Sequence, residues 1–207
     1  VAEAVAQPLA GKRSLELRYG ENPHQKASLE VPAGPAGGDD LAGAGLTLHG
    51  GKPLSYNNIV DLVAALKLAA DFEASCCAVI KHTNPCGFGL GEPAAALERA
   101  LRCDPVSAFG GIFAFNREVD LAIAEILAGR FLEVVAAPAF AADALARLQR
   151  KKNLRVLTWD PEVFLAATRG RERGFGQLVL RQEEDEGFPE LTDWNVAAGE
   201  EPDAATR

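Results

Sequence analysis

The chain of 207 residues contains no methionine and only three histidines. A sequence that begins Val-Ala-Glu and has no methionine is expected to be an excerpt or a processed piece of a longer product. It also has no run that approaches the roughly 18 consecutive apolar residues of a transmembrane helix, so no such helix is expected. Because histidine is so scarce, His82, which follows a lysine at the end of an apolar run, is a candidate functional residue.

Net charge and cysteine content restrict the binding partners and the cellular location that the sequence predicts. The net charge of −8 argues against binding to nucleic acid or to an anionic membrane by bulk electrostatics, although a small local anion site remains compatible with it. The four cysteines show no repeated spacing, and the adjacent Cys76 and Cys77 cannot both face one side of a strand. We therefore expect no disulfide framework and a reducing, cytoplasmic location.

Apolar periodicity predicts alternating helices and strands along most of the chain. The predicted helices cover 59–72, 93–103, 121–129 and 141–152, and the predicted strands cover 76–80, 111–115, 131–137 and 154–159. This alternation indicates an α/β protein with a mostly parallel sheet covered by helices. Ligands of such sheets bind at the carboxyl ends of strands, so Lys81-His82 and the region after Phe115 are both expected to lie there.

Two segments do not fit this alternation. The glycine-rich segment 34–45 predicts a flexible surface loop. The segment 161–207 is acidic and low in aliphatic residues, which predicts a partly disordered tail or an element detached from its partner.

The stretch AVIKHTNPCGFG places Lys81 and His82 directly after a predicted strand. An imidazole can accept a proton near neutral pH, and an ammonium can stabilise negative charge that develops on an oxygen. Asn84 precedes Pro85, so NPCG is predicted to be the turn that ends the strand. A solvated lysine beside a hydrogen-bonded structural histidine is an equally good interpretation of the spacing alone.

A zinc site is not expected at this stretch. Zinc-dependent nucleobase deaminases carry H-x-E followed by P-C-x-x-C. Here Asn84 stands where the glutamate is needed, and Pro85-Cys86 has no second cysteine at the required spacing. His82 and Cys86 alone fall short of the three protein ligands of a catalytic zinc.

Three further motifs could contact a ligand. In LRYGENPHQ, Arg18 and Tyr19 suit phosphate binding through a guanidinium fork and a hydroxyl, although a surface arginine and a packing tyrosine are favoured by composition alone. In GKPLSYNNIVDL, either Asn57 or Asn58 can cap the following helix and leave the other for a ligand, or both serve only the cap and turn. Gly110-Gly111 would let the backbone approach a ligand closely, or form a simple turn.

The order of the motifs is far more specific than any one of them. RYGENPHQ, GKPLSYNNIVDLVAALK, AVIKHTNPCG, DPVSAFGGIFAFNREVD, FLEVVAAPAF and KKNLRVL together resemble the bifunctional purine biosynthesis family, which joins an IMP cyclohydrolase domain to an AICAR transformylase domain. The resemblance is close from Leu15 to Leu157 and corresponds to the first half of the transformylase domain.

This resemblance implies a fold of two tandem, three-layer α/β/α units like that of cytidine deaminase, of which the chain holds the first. It implies that 1–14 is a linker from a cyclohydrolase domain, that 15–160 is the first unit, and that 161–207 is an acidic, partly disordered segment. The hydrolase activity of the family would belong to the other domain of this multifunctional enzyme.

The resemblance also implies a reaction, the transfer of a formyl group from 10-formyltetrahydrofolate to phosphoribosylaminoimidazolecarboxamide (AICAR) in IMP biosynthesis. By analogy, His82 accepts the proton of the AICAR amine, and Lys81 assists the oxyanion or the departing N10. Arg18 and Tyr19 would bind the nucleotide phosphate. The other implied substrate-binding residues are Asn58, Phe109, Gly110 and Glu133.

The implied partners are AICAR, the folate cosubstrate and a second copy of the protein in a homodimer, with no metal, nucleic acid or membrane. The alternative is that the chain is a catalytically inactive nucleotide-binding or assembly module, because the second half of the transformylase domain lies outside it.

Overall fold

The computed structural model describes residues 12–32, 41–168, 171–175 and 178–182, with single positions at 195, 196, 199 and 203. Two units are distinguished, Val1–Ala167 and Thr168–Arg207, and each is described by itself. Most of the predicted linker, most of the predicted glycine-rich loop and most of the acidic C-terminal segment lie outside the described residues.

The first unit begins with a hairpin and continues with alternating helices and strands, broadly as the periodicity predicts. A short 3₁₀ turn at Ala42–Ala44 precedes the third strand. In chain order the elements are β1 (Lys12–Glu16), β2 (Ser28–Pro32), β3 (Leu46–Gly50), α1 (Tyr56–Ala70), β4 (Cys76–Lys81), β5 (Asn84–Leu90), α2 (Pro93–Cys103), β6 (Ile112–Phe115), α3 (Leu121–Ala128), β7 (Val134–Ala137), α4 (Ala142–Gln149), β8 (Arg155–Trp159) and α5 (Pro161–Ala167). The second unit contains an antiparallel pair, β9 (Arg171–Phe175) and β10 (Leu178–Gln182).

A six-stranded sheet in the order β3-β8-β7-β6-β4-β5 forms the centre of the first unit. Its central strands β6, β7 and β8 pair in parallel. On either side of them the pairing is antiparallel, between β3 and β8, between β4 and β6, and between β4 and β5. The parallel part of the predicted sheet is therefore its centre, and the sheet as a whole is mixed.

Helices cover both faces of this sheet, which confirms the predicted three-layer α/β/α architecture. Buried side chains of α2, α3 and α4 pack on one face with alternate strand residues such as Cys77, Val79 and Phe113. On the other face, α1 and Phe164 of α5 pack with the intervening residues, including Ile80 and Ile112. The alternation follows from the strand geometry, in which successive side chains point to opposite faces.

The hairpin of β4 and β5 corrects two predictions. Asn84-Pro85-Cys86-Gly87, predicted to be a turn, begins strand β5, and the turn is His82-Thr83. Pro85 is tolerated because β5 is an edge strand. The glycines of β5 are there for packing, since a Cβ on Gly87 would lie 2.2 Å from the carbonyl oxygen of Ala100 in α2.

The second correction concerns the edges of the sheet. Because β4 runs antiparallel to β6, Lys81 lies at the edge where β6, β7 and β8 begin. The region after Phe115 lies at the opposite edge, so the expectation that it shares a ligand-binding edge with Lys81-His82 was wrong. We call the row of strand ends at which β4 ends and β6 to β8 begin the Lys81 edge. It is marked by Lys81, Gly111, Glu133 and Arg155 and is not an outer strand of the sheet.

Candidate functional site

The turn at the end of β4 holds His82 and Thr83 in the left-handed region of backbone space, with φ values of 54° and 64°. The Asp61 carboxylate on α1 accepts hydrogen bonds from both backbone amides, at 3.3 Å from His82 N and 2.8 Å from Thr83 N. The His82 carbonyl in turn accepts from the Asn84 side-chain amide at 2.8 Å. The backbone of His82 is thus fixed to α1, while its side chain is exposed.

Lys81 connects this turn to the loop that precedes β6. Its Nζ donates to the carbonyl oxygen of Phe109 at 2.6 Å. The Phe109 ring is 62% exposed and lies 4.9 Å from the ring of Phe131, measured between centroids. Gly110 follows with a φ of 72°, and a Cβ there would lie 3.1 Å from the Phe131 ring. The loop therefore presents an exposed aromatic ring beside the Lys81 ammonium group.

Cys86 lies close enough to Lys81 for the ammonium charge to act on its thiol. Burial raises the pKa of the Cys86 thiol, and the Lys81 ammonium acts in the opposite direction without reversing the shift. A thiol with a raised pKa is protonated at neutral pH and is a poor nucleophile. This favours Lys81 and His82 over Cys86 as the reactive groups.

The asparagines before Ile59 take roles that differ from the predicted cap. Ser55 is the N-cap residue of α1, and its hydroxyl accepts from the Asn58 backbone amide at 3.3 Å. The Asn58 side chain returns the contact by accepting from Ser55 N at 3.1 Å, which completes a capping box. Asn57 is exposed and donates to the Glu21 carbonyl at 3.1 Å. Neither asparagine is the cap, because the serine one residue before the helix fills that position.

Asn58 reaches across the Lys81 edge with its other polar atom. Its Nδ2 donates to Oε2 of Glu133 at 2.8 Å, at the residue directly before β7. The same oxygen lies 3.5 Å from Nη1 of Arg155, the first residue of β8. The Glu133 side chain is 38% exposed, whereas that of Arg155 is 3% exposed. One carboxylate oxygen thus joins helix α1 to the beginnings of two neighbouring strands.

Arg18 and Tyr19 lie next to this group of side chains. The Arg18 backbone amide donates to the Leu54 carbonyl at 2.9 Å, and the Tyr56 amide donates to the Tyr19 carbonyl at 3.0 Å. These two bonds hold the chain at Arg18-Tyr19 against the residues that lead into α1. The Arg18 guanidinium lies 5.2 Å from the centre of the Tyr19 ring, within the range of a cation–π contact.

The predicted site residues therefore fall into three connected groups along the Lys81 edge. The first is Lys81 with Phe109 and Gly110, the second is the His82 turn on Asp61, and the third is Asn58 with Glu133 beside Arg18 and Tyr19. Asp61 lies one helical turn after Asn58 on α1, which joins the second group to the third.

Two residues of this edge were not predicted, Asp61 and Arg155. Asp61 stands three positions after Asn58 in an otherwise apolar helical stretch, a spacing that places both on one side of the helix. Arg155 is an arginine inside the apolar run LRVLTW, and a charged residue in a strand with buried neighbours signals a specific partner. Both signals were present in the sequence.

The described part of the chain has neither a metal-binding cluster nor a membrane-spanning helix. Among those residues, no group of three or more His, Cys, Asp or Glu side chains is arranged to hold a metal ion. None of the described helices is both long enough and apolar enough to cross a membrane.

Comparison with known families gives a match over nearly the whole chain. The family described as "AICARFT/IMPCHase bienzyme" matches residues 2–207. Among solved structures, the chain is similar to RibD of Acinetobacter baumannii, with a TM-score of 0.42, 16% identity, and coverage of 52% of this chain and 37% of that one. A similarity of that size carries no argument about function.

Curated relatives are much closer in sequence. The "Bifunctional purine biosynthesis protein PurH" of Desulfitobacterium hafniense is 45% identical over 200 residues, which cover 94% of this chain and 37% of the relative. Proteins of the same name from Sorangium cellulosum and Lactiplantibacillus plantarum are each 44% identical, over 97% and 91% of this chain. The chain spans 37% to 40% of the length of these relatives.

Proposed function

Because the chain belongs to the AICARFT/IMPCHase bienzyme family, we propose that it supplies one part of an AICAR formyltransferase of purine biosynthesis. The observation that carries the proposal is that Lys81, the exposed turn of His82, the Glu133 carboxylate and the guanidinium groups of Arg18 and Arg155 all belong to the Lys81 edge. These groups come from separate segments of the chain, and no single secondary-structure element would bring them together.

The proposed chemistry requires a base and an electrophile at one carbon centre. The 5-amino nitrogen of AICAR attacks the formyl carbon of 10-formyltetrahydrofolate, and the bond from that carbon to N10 breaks. His82 accepts the proton lost by the amine, and the resulting imidazolium returns a proton to N10 as tetrahydrofolate leaves. The Lys81 ammonium stabilises negative charge on the formyl oxygen during the addition step. In this role Lys81 would exchange its hydrogen bond to the Phe109 carbonyl for one to the substrate.

The nucleotide would be held by the groups beside α1. Arg18 and Tyr19 supply a guanidinium and a hydroxyl, both of which suit a phosphate. Arg18 and Arg155 are close enough for their charges to interact, and Glu133 is the carboxylate paired with Arg155. The three side chains carry one positive charge in excess, which favours an anionic ligand. Asn58 and Glu133 would contact the amino and carboxamide groups of the base, and Phe109 and Gly110 would line the nucleotide pocket.

The finer parts of the proposal depend on more chain than the 37% to 40% of the relatives spanned here. We propose that binding of the folate cosubstrate also needs chain that lies outside residues 1–207, that the active enzyme is a homodimer, and that it works in the cytoplasm without a metal. In the same proposal, 1–14 links the unit to a cyclohydrolase domain, and 161–207 is an acidic, partly disordered segment.

A formyl-transfer assay on the full-length gene product that carries this chain tests the proposal. The wild-type protein should convert AICAR and 10-formyltetrahydrofolate to formyl-AICAR and tetrahydrofolate. His82→Ala should lower kcat by roughly 100-fold or more, since general-base catalysis contributes on that scale. His49→Ala is the matched control, because His49 bonds to Thr158 within the sheet at 2.9 Å and should leave kcat unchanged.

Two outcomes would contradict the proposal. If the wild-type protein binds AICAR but transfers no formyl group, the chain is a nucleotide-binding or assembly module and not part of the catalyst. If His82→Ala and His49→Ala have the same kcat as the wild type, His82 is not the base.

A further inference from the structure

Arg155 stands out as the only buried charged residue among those whose burial the structure describes. It begins β8 between the core residues Leu154 and Val156. A buried guanidinium is retained only where its donors are satisfied, because an unpaired charge in the interior is strongly unfavourable. The partners of Arg155 therefore show what this charge holds in place.

The Arg155 guanidinium has two sets of partners. Its Nε donates to the backbone carbonyl of Lys52 at 3.1 Å, and its Nη2 donates to that of Pro53 at 2.9 Å. Its Nη1 lies 3.5 Å from Oε2 of Glu133. The planar fork thus spans from a loop to a carboxylate, which a lysine ammonium could not do with the same geometry.

Both partners belong to the proposed nucleotide site. Lys52 and Pro53 lead directly into Leu54, whose carbonyl accepts from the backbone amide of Arg18 at 2.9 Å. The hydrogen bonds described for the Glu133 side chain all use Oε2, which receives Asn58 as well as Arg155. With Oε2 occupied by two donors and the side chain partly exposed, Oε1 is the oxygen available to an incoming N–H group.

The electrostatics agree with this arrangement. Burial lowers the pKa of the Arg155 guanidinium, the Glu133 carboxylate opposes that shift, and the nearby charge of Arg18 adds to it. Arg155 remains protonated at neutral pH despite these effects, because the guanidinium of an arginine does not lose its proton in proteins. Its charge is therefore permanently present beside Glu133 and Arg18.

We propose that Arg155 is a positioning residue of the nucleotide site. It orients the Glu133 carboxylate through Oε2 so that Oε1 accepts an N–H of the substrate base, and it fixes the 52–54 segment against which Arg18 is held. Arg155 itself does not touch the substrate. This inference rests on the proposed function for the identity of the ligand, AICAR.

Two substitutions of Arg155 in the full-length gene product test the role. Arg155→Gln should raise the KM for AICAR on the order of 30-fold, the lower end expected when one partner of a buried, hydrogen-bonded charge pair is removed. The kcat at saturating AICAR should change less than about 3-fold, because His82 and Lys81 remain in place. Arg155→Lys keeps the charge without the fork and should recover part of the affinity.

A matched control comes from another Arg–Glu pair of the same unit. Arg147 of α4 lies 2.8 Å from Glu125 of α3, on the surface and outside the proposed site. Arg147→Gln removes an arginine from an ion pair in the same way and should leave the KM and kcat at their wild-type values. Thermal unfolding of each variant identifies those that fold. If Arg155→Gln does not fold, Arg155→Lys decides the matter by a rise in the KM for AICAR above the wild-type value, smaller than the rise expected for Arg155→Gln.

A double-mutant cycle with Glu133→Gln separates positioning from a general loss of structure. If Arg155 acts through Glu133, the double variant should bind AICAR about as weakly as the weaker single variant. The inference is overturned if the losses of AICAR affinity in the two single variants simply add in the double variant. It is also overturned if Arg155→Lys and Arg155→Gln both keep the wild-type KM.

Calorimetric binding of AICAR without folate keeps this inference distinct from the proposed function. Weakened AICAR binding in Arg155→Gln supports the positioning role even if the wild type transfers no formyl group. Formyl transfer by a wild type whose Arg155 variants bind AICAR unchanged overturns the positioning role alone.

Discussion

The two edges of the central sheet both carry buried or half-buried polar side chains, but those side chains differ in their hydrogen-bond partners. At the edge where β6 to β8 end, which we call the Asn116 edge, the Asn116 side chain bonds only to backbone. It accepts from Cys76 N at 2.8 Å and donates to the carbonyls of Phe72 and Ala74 at 2.7 and 2.8 Å. Burial raises the pKa of the adjacent Cys76 thiol to about 11, so that thiol is neutral.

At the Lys81 edge, by contrast, some of the bonds join one side chain to another, and several of the groups, including the Glu133 carboxylate, keep part of their surface exposed. Glu133 is shared by Asn58 and Arg155, and Asp61 holds the turn that carries His82. The comparison shows that one antiparallel strand can place candidate functional side chains at the edge of an α/β sheet where the parallel strands begin. Because β4 ends where its neighbours begin, the proposed reactive residues lie at the amino ends of the parallel strands.

The largest difference between the edges should appear when Lys81 is replaced. Lys81→Met in the full-length protein should lower kcat for formyl transfer by roughly 1,000-fold, because it removes the group that stabilises the developing oxyanion. The measurement is steady-state kinetics with both substrates saturating.

Lys151→Met is the control for Lys81→Met. The Lys151 ammonium also donates to backbone carbonyls, those of Ala128 and Arg130, but it makes no described contact with the residues of the proposed site. Its replacement should leave kcat within about 2-fold of the wild type. Equal losses in the two variants would show that Lys81 serves only the structure.

The reverse pattern is expected at the Asn116 edge. Asn116→Leu leaves a backbone amide and two carbonyls without their partner, and it should destabilise the fold by about 3 kcal/mol. The shift of the unfolding transition in denaturant measures this loss. The kcat per folded molecule should stay within about 2-fold of the wild type, and a drop like that of Lys81→Met would place Asn116 in the active site.

A smaller effect of opposite sign is expected at the turn of the Lys81 edge. Thr83 is β-branched and has a φ of 64°, a conformation that costs a non-glycine residue roughly 1 kcal/mol or more. Thr83→Gly should therefore raise the free energy of unfolding by about 1 kcal/mol. Thr47→Gly, in the ordinary strand β3, should lower it by roughly 0.5 to 1 kcal/mol. If both variants are destabilised, the turn is not strained.

Much of the fold could be predicted from periodicity and end signals. Helix α2 has the predicted bounds, 93–103, because Pro93 begins it and Ala96, Leu97, Ala100 and Leu101 form one apolar face. Strand β4 follows from its five consecutive apolar residues. The direction of β4 could not be predicted in the same way, because it depends on the hairpin with β5.

Strand β5 was missed because its residues are usual in turns. Asn84, Pro85 and two glycines favour a loop by local propensity, and the reason for the glycines lies 13 residues away in the close approach of α2 to Gly87. Tertiary packing overrode local preference here.

The candidate site was predictable by resemblance more than by local pattern. Arg18, Asn58, Lys81 and Glu133 are separated by up to 115 residues, so no spacing rule links them. Arg155 could have been singled out as a charge within an apolar run, but only its contact with Glu133 shows which partner it has there.

Hydrogen–deuterium exchange of the full-length protein with and without AICAR tests the central claim most directly, since it reads both edges in one experiment. We expect protection of amides at 18–20, 54–58, 81–84 and 109–111 on the Lys81 edge, and no change at 116–120, 138–141 and 160–163 on the Asn116 edge. Protection confined to the Asn116 edge would contradict the account.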